Sequence, residues 1–122
     1  MPDYAFEADL VTRSVPAAAD LSTKQYYAVK LNSSGQIALC GDDQLAYGIL
    51  QDKPAAVGRV GCVAVGGVSR CVFGGTVAAG DNVGVDSDGK IVAIATGDGR
   101  TIGVCRVGGT TGKIGCIEVR PG

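Results

Sequence analysis

Three blocks of this 122-residue chain occur twice, in the same order. Ser33-Ser34-Gly35-Gln36-Ile37 returns 54 residues later as Ser87-Asp88-Gly89-Lys90-Ile91. Tyr47-Gly48-Ile49-Leu50 returns at an offset of 55 as Ile102-Gly103-Val104-Cys105. Gly58-Arg59-Val60-Gly61-Cys62-Val63-Ala64-Val65 returns at 54 as Gly112-Lys113-Ile114-Gly115-Cys116-Ile117-Glu118-Val119. The blocks mark a duplicated unit over about 27–65 and 83–119. Two copies are too few for a solenoid, whereas a closed or nearly closed barrel of two similar halves also hides its sheet edges.

The residue types inside the blocks favour strands. Val and Ile number 16 and 7, against 6 Leu and 1 Met. Branching at Cβ loses rotamer freedom in a helix but packs well on a pleated sheet. Apolar runs predict strands over 26–31, 36–40, 46–50, 60–65, 68–73, 82–85, 91–95, 102–107 and 114–119. Between them stand turn sequences such as Asn32-Ser33-Ser34-Gly35, Gly41-Asp42-Asp43, Gly66-Gly67, Ser87-Asp88-Gly89 and Gly108–Gly112. Lys53–Val57 is the one segment suited to a short helical turn. The fold expected is all-β, a small barrel-like domain of two similar halves.

Charge sets the first residues apart. Residues 1–22 carry Asp3, Glu7, Asp9 and Asp20 against Arg13 alone, while the remainder is mildly basic. Tyr4, Phe6, Ala8 and Leu10 fall on one face of a strictly alternating stretch, the period of a half-buried strand. Ser14–Leu21 then reads as a linker, with Pro16 ill suited to a ladder. This divides the chain into an extended acidic N-terminal arm and linker, 1–22, and a barrel-like domain, 23–122. Whether the arm reaches outward or joins the domain's own sheet is left open by the pattern.

Function classes fall away one by one. The chain has no His, so the commonest general base and metal ligand is missing. It has no Trp, only 5% aromatics and a net charge of −1, which suits neither a base-stacking platform nor a nucleic-acid backbone. No apolar run reaches membrane-spanning length, and Met1-Pro2-Asp3 does not open a signal peptide. Cys40, Cys62, Cys71, Cys105 and Cys116 are odd in number, lack C-x-x-C spacing and sit among small apolar residues, the pattern of buried thiols.

Gly108-Gly109-Thr110-Thr111-Gly112-Lys113 misses a phosphate-loop motif twice, at Val107 and Ile114. Asp86-Ser87-Asp88-Gly89 opens like a calcium loop but has Gly97 where the closing Glu belongs. Asp42-Asp43 and Asp81/Asp86 lack an acid–base partner, and Arg59, Arg70, Arg100, Arg106 and Arg120 are scattered singly along the chain. The expectation is therefore no enzyme, cofactor, metal, small-molecule substrate, nucleic acid or membrane, but a scaffold or binding role. Val60–Val65 and Ile91–Ala95 are apolar on both faces. A second sheet layer or a neighbouring copy must cover them, and a homo-oligomer is expected.

Two longer stretches carry a family likeness. One is Tyr4-Ala5-Phe6-Glu7-Ala8-Asp9 with the Ala-rich linker and Tyr47–Ala55; the other is Gly75–Asp86 with Gly89-Lys90 and Ile102-Gly103-Val104. Together they resemble the small capsid decoration, or cement, proteins of tailed bacteriophages, from about residue 3 to 119. The resemblance implies a homotrimer made in the host cytoplasm. It would sit on the outer surface of the virion head, bind the major capsid protein and stabilise its lattice. By position it implies that the arm, with Tyr4, Phe6, Ala8 and Leu10, contacts the capsid. Two alternatives remain open: a virion-surface receptor- or glycan-binding module, and a small enzyme or nucleotide-binding accessory.

Overall fold

The glycine-bounded runs of Val and Ile do become strands. The computed structural model describes residues 7–41, 44–94 and 101–120. Its strands are β1 (Ala8–Pro16), β2 (Ala28–Leu31), β3 (Ile37–Leu39), β4 (Gly48–Leu50), β5 (Val60–Val72), β6 (Asn82–Val85), β7 (Ile91–Ala93), β8 (Gly103–Val107) and β9 (Ile114–Val119). The sheet runs β3-β2-β4-β5-β9-β8-β6-β7, with β1 paired to β5 beside this path. Among the described residues there is no helix. Lys53–Val57 leads instead into a turn closed by the Arg59 amide donating to the Ala56 carbonyl at 3.1 Å.

The duplication is repeated in the hydrogen-bond register. Val29↔Leu39 and Leu31↔Ile37 between β2 and β3 recur, 54 residues on, as Val83↔Ala93 and Val85↔Ile91 between β6 and β7. Ile49↔Ala64 between β4 and β5 recurs as Val104↔Glu118 between β8 and β9. The repeat also includes a strand that the sequence blocks did not reveal. β1 on the first half of β5 (Thr12↔Ala64, Pro16↔Val60) is matched by the second half of β5 on β9 (Val68↔Glu118, Val72↔Ile114). β5 therefore closes one half and opens the next. Ladder bonds are made by backbone groups, so Ser14-Val15-Pro16-Ala17 and Arg70-Cys71-Val72-Phe73 share a role without sharing side chains.

Each half curls into a barrel-like lobe. Isolated parallel bridges, Ala17↔Ile37 and Phe73↔Ile91, join the end of a lobe's first strand to its third. The first core gathers Val15, Ala17, Leu21, Val29, Ile37, Leu50 and Val63. Their counterparts Cys71, Phe73, Val77, Val83, Ile91, Cys105 and Ile117 lie together in the second. The stretch expected as a linker, 14–21, thus supplies three core residues. Pro16 ends β1 and does not interrupt it.

Gly66-Gly67, expected as a turn, lies inside the continuous 13-residue β5. Gly67 has φ +85°, and a Cβ there would collide with the backbone oxygen of Asp9, itself at φ +53° in a bulged part of β1. Glycine at this point lets β5 bend between lobes while β1 crosses it. Of the two-sided apolar strands, Val63 and Ala64 are fully buried by the chain's own layers. Neighbouring Ile49 and Leu50 of β4 face different clusters, so β4 is covered on both faces.

Gly48 and Gly103 occupy equivalent close approaches. A Cβ would strike the backbone oxygen of Ala64 at the first and of Glu118 at the second. Gly48→Ala and Gly103→Ala should each destabilise the fold by about 1–3 kcal/mol, lowering the melting temperature by several degrees. Gly35→Ala, with open space but φ +73°, should lose only about 1 kcal/mol. Thermal melts of the three variants check this.

Candidate functional site

Turn chemistry explains the loops that resemble ligand motifs. Asp86 Oδ1 accepts the backbone N–H groups of Asp88 and Lys90 at 2.8 and 2.9 Å. Asn32 Oδ1 does the same for Ser34 and Gln36, both at 2.9 Å, so an uncharged amide holds the equivalent turn. Asp81 Oδ2 caps a different turn through the Ala78 amide at 2.9 Å. Asp42, Asp43, Gly97 and Arg100 lie outside the described residues. Gly108–Lys113 is the loop between β8 and β9, bridged by Val77↔Gly109 and followed by a strand where a phosphate loop needs a helix N-terminus.

The structure gathers two arginines that sequence spacing left apart. Arg106 and Arg120 flank Glu118 at 3.4 and 2.6 Å on the outer face of β8 and β9. Arg120, and more weakly Arg106, hold the Glu118 carboxyl below its usual range. All three are exposed enough for solvent to screen them, so the cluster marks a polar surface. Sequence reading also missed Ser69, the buried polar side chain on β5. Its Oγ accepts from Gln51 Nε2 at 2.8 Å and donates to the Arg70 carbonyl at 2.8 Å.

The cysteines behave as small apolar residues. Cys40, Cys71, Cys105 and Cys116 are buried and Cys62 is half-buried, all as free thiols. Burial pushes the Cys71 thiol up strongly and Cys105 up to about 11, each with a further rise from neighbouring thiols. A thiol held protonated is a poor nucleophile.

What the surface offers is strand edge and apolar side chain. Of the arm residues expected to touch a partner, Tyr4 and Phe6 lie outside the described residues. Ala8, opposite Val68, and Leu10 stand half-buried at the start of β1. Further along β1, Val11 to Ser14 are exposed, and among the described residues β1 forms a ladder with β5 alone. Its other edge can accept a further strand. A second apolar area is a shallow depression of about 180 Å³ lined by Leu31, Leu45, Ala46 and Tyr47.

No family model and no curated protein matches this chain. Among solved structures it is similar to the head fiber gp8.5 N base of bacteriophage phi29. The TM-score is 0.67, covering 91% of this chain and 94% of that one, at 13% identity. At that identity the likeness is one of fold.

Ionisation of the thiols should be visible in stability. An unfolded thiol titrates near 9.0, while Cys105 in the fold titrates near 11. Between these values the unfolded chain holds fewer protons, so stability is full below pH 9 and falls as pH rises towards 11. Urea unfolding across this window should show the decline, and Cys105→Ala should make it shallower without abolishing it, because the Cys71 thiol is raised as well. Iodoacetamide on the native protein should label Cys62 ahead of the other four.

Proposed function

We propose that this protein is a structural, non-catalytic component of a tailed phage virion. It decorates the outer surface of the head, binds the major capsid protein and stabilises its lattice. The observation that carries the reading is the fold shared, over nine-tenths of both chains, with the base of a phage head fiber. The capsid-decoration motifs of the sequence point the same way.

In this reading the free edge of β1 and the residues before it form the capsid contact. A capsid strand adds to the edge by main-chain hydrogen bonds, and side chains at alternate positions fill pockets. Tyr4 and Phe6 are the anchors, with Ala8 and Leu10 following at alternate positions of the sequence. Each large anchor contributes about 1.5–3 kcal/mol if fully buried. A homotrimer presents three such edges at once, so modest single contacts add up to firm attachment.

Removing residues 1–7 takes away the anchors but leaves β1 and Val15 in the core. The truncated protein should melt close to the full chain and lose co-sedimentation with heads assembled without it. Phe6→Asp should act similarly, and Glu7→Lys, at an intervening position of the sequence alternation, much less. Heads carrying the full chain should withstand heating or osmotic shock better than bare heads. Retained binding by the truncated protein would overturn the arm's role. Failure of the full chain to bind any heads from its own phage would overturn the reading itself.

A further inference from the structure

The two lobes pack head to tail, and a head-to-tail contact used once inside a chain leaves one unused copy of each surface outside. Within the chain, the open end of the second lobe is stoppered by the outer face of the first. Val85 and Ile102 of the second lobe share a buried cluster with Ala28, Cys40, Ala46 and Ile49 of the first. The Ala28 amide donates to the Gly89 carbonyl at 2.8 Å, pinning the Asp86–Lys90 turn to β2. Leu39 fills the space above that turn, its Cγ 2.9 Å from where a Cβ of Gly89 would stand.

The register assigns each of these residues a counterpart. The equivalents of Val85 and Ile102 are Leu31 and Tyr47, and the equivalent of the Asp86–Lys90 turn is Asn32–Gln36. Among the described residues, nothing stoppers this end. Leu31 is 43% exposed where Val85 is 8%, and Leu45 beside it is 54% exposed. A Cβ added at Gly35 meets nothing within 4 Å. Conversely, the stopper residues Cys40 and Ile49 correspond to Ile94 and Val104. These are apolar side chains left half-buried on the outer face of the second lobe.

We propose that the socket around Leu31, Leu45 and Tyr47 is filled by the Ile94/Val104 face of a second copy of this chain, repeating between molecules the contact that joins the lobes. The occupant follows from the fold, since the Ile94/Val104 face is the counterpart of the one already fitted to the twin socket, with Asn82, Ala93, Thr101 and Glu118 standing where that face has Ala28, Leu39, Ala46 and Ala64. Both turns carry the same side-chain cap, from Asn32 in one and Asp86 in the other, so the docking element is held alike. A contact of this kind is heterologous, and it closes into a ring or extends into a filament. The inference gives the proposed trimer an interface but stands apart from capsid binding.

Complementation tests it. Leu45→Asp blocks the socket and Val104→Asp blocks the stopper, each leaving the other surface intact. Sedimentation velocity at tens of micromolar should show wild-type oligomers and monomers of either variant. Self-association of each variant should be weakened about a hundredfold or more. An equimolar mixture should form a one-to-one dimer and nothing larger, because only one good socket and one good stopper meet. If Val104→Asp melts early, Ile94→Asp on the same face replaces it. A monomeric wild type, a variant that associates like wild type, or a mixture that stays monomeric would each overturn the proposal. Co-sedimentation with heads remains a separate readout, so failure here and failure of capsid binding are told apart.

Discussion

Both lobes depend on β5 being one strand and not two. Its first half is hydrogen-bonded to β4 on one edge and β1 on the other, and its second half to β9. Thirteen residues of extended chain thus belong to both barrel-like lobes. This sharing sets the spacing and orientation of the lobes. A hairpin at Gly66-Gly67 would have turned the chain back and left the second lobe without its opening strand. What permits continuity is backbone conformation at one glycine, where a side chain would strike Asp9.

The two cores show how a duplicated lobe diverges without changing its ladder. Where the first lobe has Ala17 and Leu50, the second has Phe73 and Cys105. A larger side chain at one position is offset by a smaller one at another, which keeps the enclosed volume filled. Gly109 and Gly115 leave room for the Phe73 ring, as the ring atoms lie where their Cβ atoms would stand. The cysteines of the second core are thus volume adjustments. The raised pKa values of Cys71 and Cys105 are a consequence of that burial.

The outer surfaces diverged further. In the second lobe Arg106, Glu118 and Arg120 form a polar cluster on β8 and β9, while Ala64 stands fully buried in the first lobe at the position of Glu118. Among the described residues the open end of the first lobe is apolar and uncovered, whereas its twin is closed by the chain itself.

The strand-rich class, the duplication with its offsets of 54 and 55, and the turns at Asn32 and Asp86 can all be read from residue order. Each is local: a β-branched run, a glycine needing positive φ, or a side chain capping its own turn. Recurrence of such local signals is readable without knowing what they pack against. Of the candidate surface, the alternation of Ala8 and Leu10 was legible, while the socket at Leu31 and Leu45 was not. That β1 repeats the second half of β5, that Gly66-Gly67 lies within a strand, and that Glu118 gathers Arg106 and Arg120 emerged from the folded chain. So did one lobe end that is capped and another that is bare among the described residues. The physical reason is the same in each case: backbone pairing and lobe packing join residues far apart in sequence through atoms common to all side chains, so no residue pattern announces them.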